Sequence, residues 1–213
     1  MTLPVSHQVA QILLEMQAVS LSPETPYTWT SGLKSLIYCD NRLIMSFPKQ
    51  RSFIEEQLAS RIQTAFPQVQ VVAGVATAGI PHASMVAQLL DLPLIYVRSD
   101  AKKHGKKNQI EGRLPEHTKV VLVEDLISTG KSVLQAAKIL EEHGAEVIGC
   151  VAIFNYLLPV GKAAFAEAGY AYTSLTDYEA LIQQALLKEE LQPFRTLLEN
   201  WHLDPEAWSQ GIE

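Results

Sequence analysis

Residues 120–132, VVLVEDLISTGKS, arrange their chemistry in order along the chain: an apolar run, two adjacent carboxylates, then a turn of hydroxyls and glycine that opens a helix. Val120, Val121, Leu122 and Val123 are apolar on both faces of an extended backbone, the pattern of a covered parallel strand rather than of a sheet with one wet side. Glu124 and Asp125 follow at the expected carboxyl end of that strand, where open α/β sheets place ligands. Two neighbouring negative charges there are costly without a partner such as sugar hydroxyls or a hydrated cation. Ser128, Thr129, Gly130 and Ser132 are small residues whose backbone N–H groups can converge on one point, backed by the positive end of a helix dipole. A phosphate suits that point. The helix is expected over residues 133–144, from the apolar spacing of Val133, Leu134, Ala137, Ile139 and Leu140 and the stop at Gly144. Gly130-Lys131-Ser132 resembles the end of a nucleotide-binding P-loop, but the earlier glycine that motif requires falls at Asp125. Reading Asp125 and Ser128 as ordinary turn or capping residues accounts for one polar position and not for the series.

Three further segments bear on the same chemistry. Residues 96–112, YVRSDAKKHGKKNQIEG, reverse the sign of a chain whose formal net charge is −6. Arg98, Lys102, Lys103, Lys106 and Lys107 stand there against Asp100 and Glu111, and Gly105, Asn108 and the lack of apolar periodicity predict a loop that closes over a polyanion and opens to release it. A merely solvated basic loop is the alternative. In residues 27–42, YTWTSGLKSLIYCDNR, the polar turn Ser31, Gly32, Lys34 and Ser35 precedes a strand-like run at residues 36–39. Residues 71–81, VVAGVATAGIP, form an apolar strand ending in Thr77, Ala78 and Gly79, small residues that let backbone approach a ligand or simply make a tight turn.

The segment VVLVEDLISTGKS resembles the signature of the type I phosphoribosyltransferases. The pattern Arg98, Lys102, His104, Gly105 is similar to the catalytic loop of the orotate phosphoribosyltransferases within that group. The Ser-Gly-x-x-Ser and Tyr-x-Asp-Asn-Arg elements of residues 27–42 resemble the same family's amino-terminal hood. The resemblance spans roughly residues 27–177. It implies binding of 5-phospho-α-D-ribose 1-diphosphate (PRPP), with Glu124 and Asp125 at the ribose hydroxyls. Leu126, Ile127, Ser128, Thr129, Gly130, Lys131 and Ser132 would surround the 5′-phosphate, and Thr77, Ala78 and Gly79 would touch the pyrophosphate. It implies Arg98, Lys102 and His104 as catalytic residues that also bind PRPP, Ser128 as the residue touching orotate, and the turn at residues 31–34 above the base. It implies Mg2+ on pyrophosphate and ribose oxygens, with no metal site made of protein ligands alone, and a homodimer in which loop 98–112 contributes to the neighbouring site. This chain departs from the pattern in four places. Leu36 stands where proline is usual, Thr30 and Ser99 stand where some members carry lysine, and residues 154–161 (FNYLLPVG) lack the arginine that some relatives place there to grip orotate. A phosphoribosyltransferase for another nucleobase, or a PRPP-sensing regulator of the same fold, remains the alternative.

The remaining chain agrees with an enzyme of this kind. Its 213 residues with 47% hydrophobic content are enough for one domain with a sizeable core. The expected division is a hood and amino-terminal helix at about residues 1–48, an α/β core at about 49–176 and carboxyl-terminal helices at about 177–213. Strands are expected at residues 71–75, 94–97, 119–123, 147–154 and 172–175, and helices at residues 50–65, 81–90, 133–144 and 160–168. That alternation predicts a Rossmann-like, mostly parallel central sheet flanked by helices, with the small amino-terminal hood beside it. The apolar stripe of the tail, from Leu181 through Trp201, reads as packing. A pI of about 5.5, with positive charge confined to one loop, speaks against a nucleic-acid partner. No apolar run is long enough for a membrane span and no leader pattern opens the chain, so a cytoplasmic protein is expected. Cys39 and Cys150 sit in apolar strand-like stretches and read as packed thiols, and His7, His82, His117, His143 and His202 show no metal-ligand spacing.

Overall fold

The computed structural model describes residues 3–29, 32–98 and 109–212. The chain begins with α1 (Val5–Glu15), whose apolar face buries Val9, Ala10 and Leu13. Four short strands follow, β1 (Val19–Leu21), β2 (Tyr27–Thr28), β3 (Lys34–Ser35) and β4 (Ile37–Cys39). They pair antiparallel as β1 with β4 and β2 with β3, and make the hood. A 3-10 segment, Asn41–Ser46, leads into α2 (Pro48–Ala65), which has proline in its first turn, where the missing N–H costs nothing.

The core continues as β5 (Val71–Val75), α3 (Gly79–Leu90), β6 (Leu94–Val97), β7 (Ile110–Glu111) and β8 (Lys119–Ile127). Next come α4 (Lys131–Glu142), β9 (Glu146–Asn155), α5 (Pro159–Ala168) and β10 (Tyr172–Asp177). The sheet order is β10-β9-β8-β5-β6-β7, parallel throughout except for β7 at the edge. After β6 the chain returns to the other side of β5 to lay down β8. Strand order therefore reverses at the β5/β8 boundary, and crevices for ligands open outside the carboxyl ends of strands at such a point.

Side chains alternate faces along each strand, so each strand feeds two cores. Val72, Val121, Val123, Val151 and Ile153 pack with α1, α2 and α3 on one side. Val71, Ala73, Val75, Val120, Leu122 and Ala152 pack with α4 and Phe165 of α5 on the other. Between α2 and α3, Glu55 and His82 are both almost wholly buried, with Glu55 Oε1 2.6 Å from His82 Nδ1. Burial, partly offset by His82, raises the carboxyl's pKa.

The tail forms α6 (Tyr178–Ala185), a 3-10 stretch containing Pro193, α7 (Arg195–Asn200), a 3-10 turn at Trp201–Leu203, and α8 (Pro205–Gln210). α6 packs on α1, and α8 packs on hood strand β3. No helix among the described residues is long and apolar enough to cross a membrane.

Three expectations are corrected. β8 runs on through Ile127, four residues past the expected end, because its ladder with β9 continues to Ile127 opposite Asn155. α4 starts at Lys131, so Lys131 and Ser132 lie in its first turn rather than in a loop. The basic loop is bounded by a strand, since Ile110 and Glu111 pair with Val97 and Tyr96.

Candidate active site

Glu124 and Asp125 occupy consecutive positions on β8, one buried and one half-buried. The Asp125 backbone N–H donates to Glu124 Oε1 at 3.0 Å. Burial raises the Glu124 pKa well above its ordinary value, and the side chain of Asp125, through its hydrogen bond and its charge, raises it further, while the Asp125 backbone N–H acts in the opposite direction. The negative charge of Glu124 is felt at Cys150 on β9, and that of Asp125 at Cys39 in the hood. Two acidic groups this close, with one already reluctant to ionise, suit a ligand that brings hydroxyl donors or positive charge.

Immediately beyond them, residues 128–130 turn the chain into α4. Gly130 holds φ at 77°, and no side chain caps the helix; the Lys131 N–H has only a long contact of 3.4 Å to Thr129 Oγ1. Those first amides of α4 are free for an anion. Two glycines press neighbouring backbone against the same place. A Cβ on Gly161, in the first turn of α5, would meet the Ser128 carbonyl oxygen at 2.4 Å. One on Gly79 would lie 2.4 Å from the Val123 carbonyl oxygen and 3.4 Å from Glu124 Cα. Thr77, Ala78 and Gly79 thus adjoin the acidic pair, and the Ala76–Thr77 peptide is cis. A small cavity of about 50 Å3 brings Ala76 together with Arg98 and Ser132.

The hood is tied to this end of β8 by Asn41, only 1% exposed, whose Nδ2 donates to the Asp125 carbonyl oxygen at 2.7 Å while its Oδ1 takes a weak bond from Cys39 Sγ at 3.3 Å. Between the hood and the carboxyl ends of β8 and β9 lies a cleft of about 1030 Å3. Trp29, Gly32, Leu33, Tyr38 and Cys39 line it from the hood, Leu126, Ser128 and Thr129 from the end of β8, and Tyr156, Leu158 and Pro159 from the segment after β9. Leu203, Asp204, Pro205, Ser209 and Gln210 of the tail close it. Ser128, expected at orotate, does face this cleft; so does Gly32 of the polar turn, whereas Ser31 lies outside the described residues.

Sequence reasoning missed Tyr156, Leu158 and the whole tail contribution. The tail's apolar stripe signalled packing, and nothing local indicated which surface it packs on. Asn41 had a signal, being part of the Tyr-x-Asp-Asn-Arg element.

Arg98 directly follows β6 and makes a 3.6 Å ion pair with Glu111. Its backbone N–H donates to the Gln109 carbonyl at 2.8 Å, so the basic loop leaves and re-enters the sheet at adjacent positions. Lys102, Lys103, His104, Lys106 and Lys107 lie outside the described residues. Ile127 is buried in the core beneath α4, and Lys131 is exposed.

Among the described residues no group of three ligating side chains stands ready for a metal. The acidic pair does offer hard oxygen donors, which fit an ion like Mg2+ that keeps waters and shares ligands with a substrate phosphate.

Comparison with known proteins agrees with this geometry. The phosphoribosyl transferase domain model matches residues 51–176. An orotate phosphoribosyltransferase from Enterococcus faecalis is 52% identical over 207 residues, covering 97% of this chain and 99% of that one. The orotate phosphoribosyltransferase of Listeria monocytogenes is 53% identical over 208 residues, with 97% and 99% covered. The crystal structure of the Aeropyrum pernix orotate phosphoribosyltransferase superposes with a TM-score of 0.75 at 27% identity, over 84% of this chain and 99% of that one. The chain belongs to the phosphoribosyl transferase domain family and, within it, to the orotate phosphoribosyltransferases.

Proposed function

We propose that the chain transfers the 5-phosphoribosyl group of PRPP to orotate, giving orotidine 5′-phosphate and diphosphate, on the route to UMP. The observation that carries this reading is the meeting, at the carboxyl end of β8, of an uncapped helix start, two adjacent carboxylates and a cleft of about 1030 Å3. Residues 128–132 hold the 5′-phosphate through the first amides of α4. Glu124 and Asp125 take the ribose hydroxyls, and burial of Glu124 makes that partner valuable. Thr77, Ala78 and Gly79, beside Glu124, receive the diphosphate.

Breaking the bond from the anomeric carbon to diphosphate builds positive charge on the sugar ring and negative charge on the departing group. Lys102 and Arg98 offset the second, with His104 binding diphosphate beside them; fixed charges aimed at developing charge are usually the largest catalytic effect. Glu124 and Asp125 would hold Mg2+ together with the substrate, and the ion would supply further neutralisation of the leaving group. Orotate is already an anion, so its ring nitrogen needs little activation and the chain mainly has to orient it, with Ser128 at its edge. The same reading makes the enzyme a cytoplasmic homodimer in which loop 98–112 serves the neighbouring site.

Diphosphate release measured in parallel with orotate, adenine, hypoxanthine and uracil, with and without Mg2+, tests the reading. Release with orotate alone, and only with the metal, is expected. Release with a purine would reassign the base, and no release with any of them would remove the enzymatic reading.

A further inference from the structure

We propose that the carboxyl-terminal tail, residues 201–210, is the outer wall of the base pocket, and that Ser209 is a positioning residue for orotate through its grip on the hood. The proposal deepens the orotate reading and rests on it.

Two contacts fix the tail against the hood. Ser209 Oγ accepts from the Lys34 backbone N–H at 2.9 Å, across 175 residues of sequence. The indole of Trp201, 2% exposed, stands edge-on to Trp29 at 5.9 Å, and Trp29 stands edge-on to Tyr156 at 5.5 Å. Trp29 begins the turn that ends at Lys34: the Gly32 N–H donates to the Trp29 carbonyl, and the Trp29 N–H to the Leu33 carbonyl, at 2.8 and 2.9 Å. The tail therefore contacts Trp29 and Lys34, which flank the cleft-lining Gly32 and Leu33. Leu203, Asp204, Pro205 and Ser209 meanwhile line the same cleft from the tail.

α8 cannot hold its place alone. It is six residues long, capped by Asp204 accepting from the Ala207 N–H at 3.0 Å, and helices this short are unstable in isolation. Its order depends on β3, and the half-buried Lys34 N–H depends on Ser209, so removing the hydroxyl loosens the tail and this hood turn together. The match to the phosphoribosyl transferase domain ends at residue 176, which leaves the tail outside the part shared across that family. A wall outside the common PRPP machinery is suited to choosing the base.

The test is steady-state kinetics of the full chain with Mg2+, varying orotate at saturating PRPP and the reverse, for wild type, Ser209→Ala and Ser209→Thr, with thermal melting of each. Loss of the hydrogen bond is expected to raise KM for orotate about three- to tenfold, leave KM for PRPP within about twofold, and spare kcat. Ser209→Thr, which keeps the hydroxyl, should restore the wild-type value. A second variant ending at Leu203 should show the larger KM effect of the same kind. Equal rises in both KM values, no change in either, or unfolding of Ser209→Ala and Ser209→Thr alike would overturn the proposal. A wild-type chain that does not turn over orotate would instead remove the functional reading beneath it.

Discussion

At the scale of single residues, Glu124 is an acidic group placed where the free protein would be better without it. Burial is the main cause of its raised pKa, followed by the side-chain hydrogen bond and the charge of Asp125. A folded-state pKa above the unfolded value means that the fold retains a proton the unfolded chain gives up. The favourable contribution is complete below the ordinary carboxyl value of 4.5 and is lost as pH rises through the folded value. Once the pH exceeds the ordinary carboxyl value, burial of Glu124 therefore opposes folding. Glu124→Gln keeps the shape and the oxygen that accepts from Asp125 N–H while deleting the charge. It is expected to raise Tm at pH 8 by about 2–4 °C, the shift that one kcal/mol makes in a chain of this size, and by less at pH 5. KM for PRPP should rise at least about tenfold in the same variant, because a charged acceptor is lost at the ribose hydroxyls. Thermal melts at the two pH values with PRPP kinetics check both parts. An unchanged melt at pH 8 would mean the burial cost is already relieved in the free protein.

At the scale of elements, the order of the core strands and helices was legible, the two-residue β7 excepted, because apolar runs and 3.6-residue spacings are local properties. Element ends were less so. β8 continues to Ile127 only because β9 supplies partners as far as Asn155, and a ladder's length belongs to two strands at once. α4 begins at Lys131 without a capping side chain, since the positive φ of Gly130 turns the backbone in place of a cap residue. The tail's apolar stripe breaks into α6, a 3-10 stretch and α7 around Pro193, which has no N–H to continue a helix. Gly161 lay inside an expected helix with no sign of its role, which is to let α5 rest against the Ser128 carbonyl. Gly161→Ala must push the turn at Ser128 aside, because its Cβ would stand 2.4 Å from that backbone oxygen. Overpacking of this kind costs about 1–3 kcal/mol, and a small misplacement of a binding loop costs catalysis out of proportion to its size. The expected outcome is a lower Tm and a rise in KM for PRPP of about tenfold or more, with KM for orotate less affected. Kinetics in which only orotate binding suffers would place the phosphate elsewhere.

At the scale of the whole molecule, the site exists because strand order reverses between β5 and β8, bringing residues 76–79 beside Glu124 although some 45 residues separate them. No local pattern encodes that order. The motifs named the participants, while the juxtaposition, the tail's return to the hood and the contribution of Tyr156 come from long-range packing. The basic loop belongs to the same scale. It leaves the sheet at Arg98 and returns at Gln109, beside the edge strand β7, at the far end of the sheet from β10. An edge is where a second copy of the chain can receive such a loop, and a two-fold dimer makes the exchange reciprocal. Lys102→Ala alone is expected to lower kcat by about 10²–10³-fold, the usual effect of removing one electrostatic stabiliser, with KM for PRPP little changed. Asp125→Asn should be comparably inactive through the sugar. If the loop acts on the neighbouring site, a dimer of one chain of each kind carries both lesions at one site and none at the other. Random mixing then restores about a quarter of wild-type activity, since half the dimers are mixed and each has one intact site. Mixtures that stay as inactive as either variant alone would mean that each loop serves its own subunit.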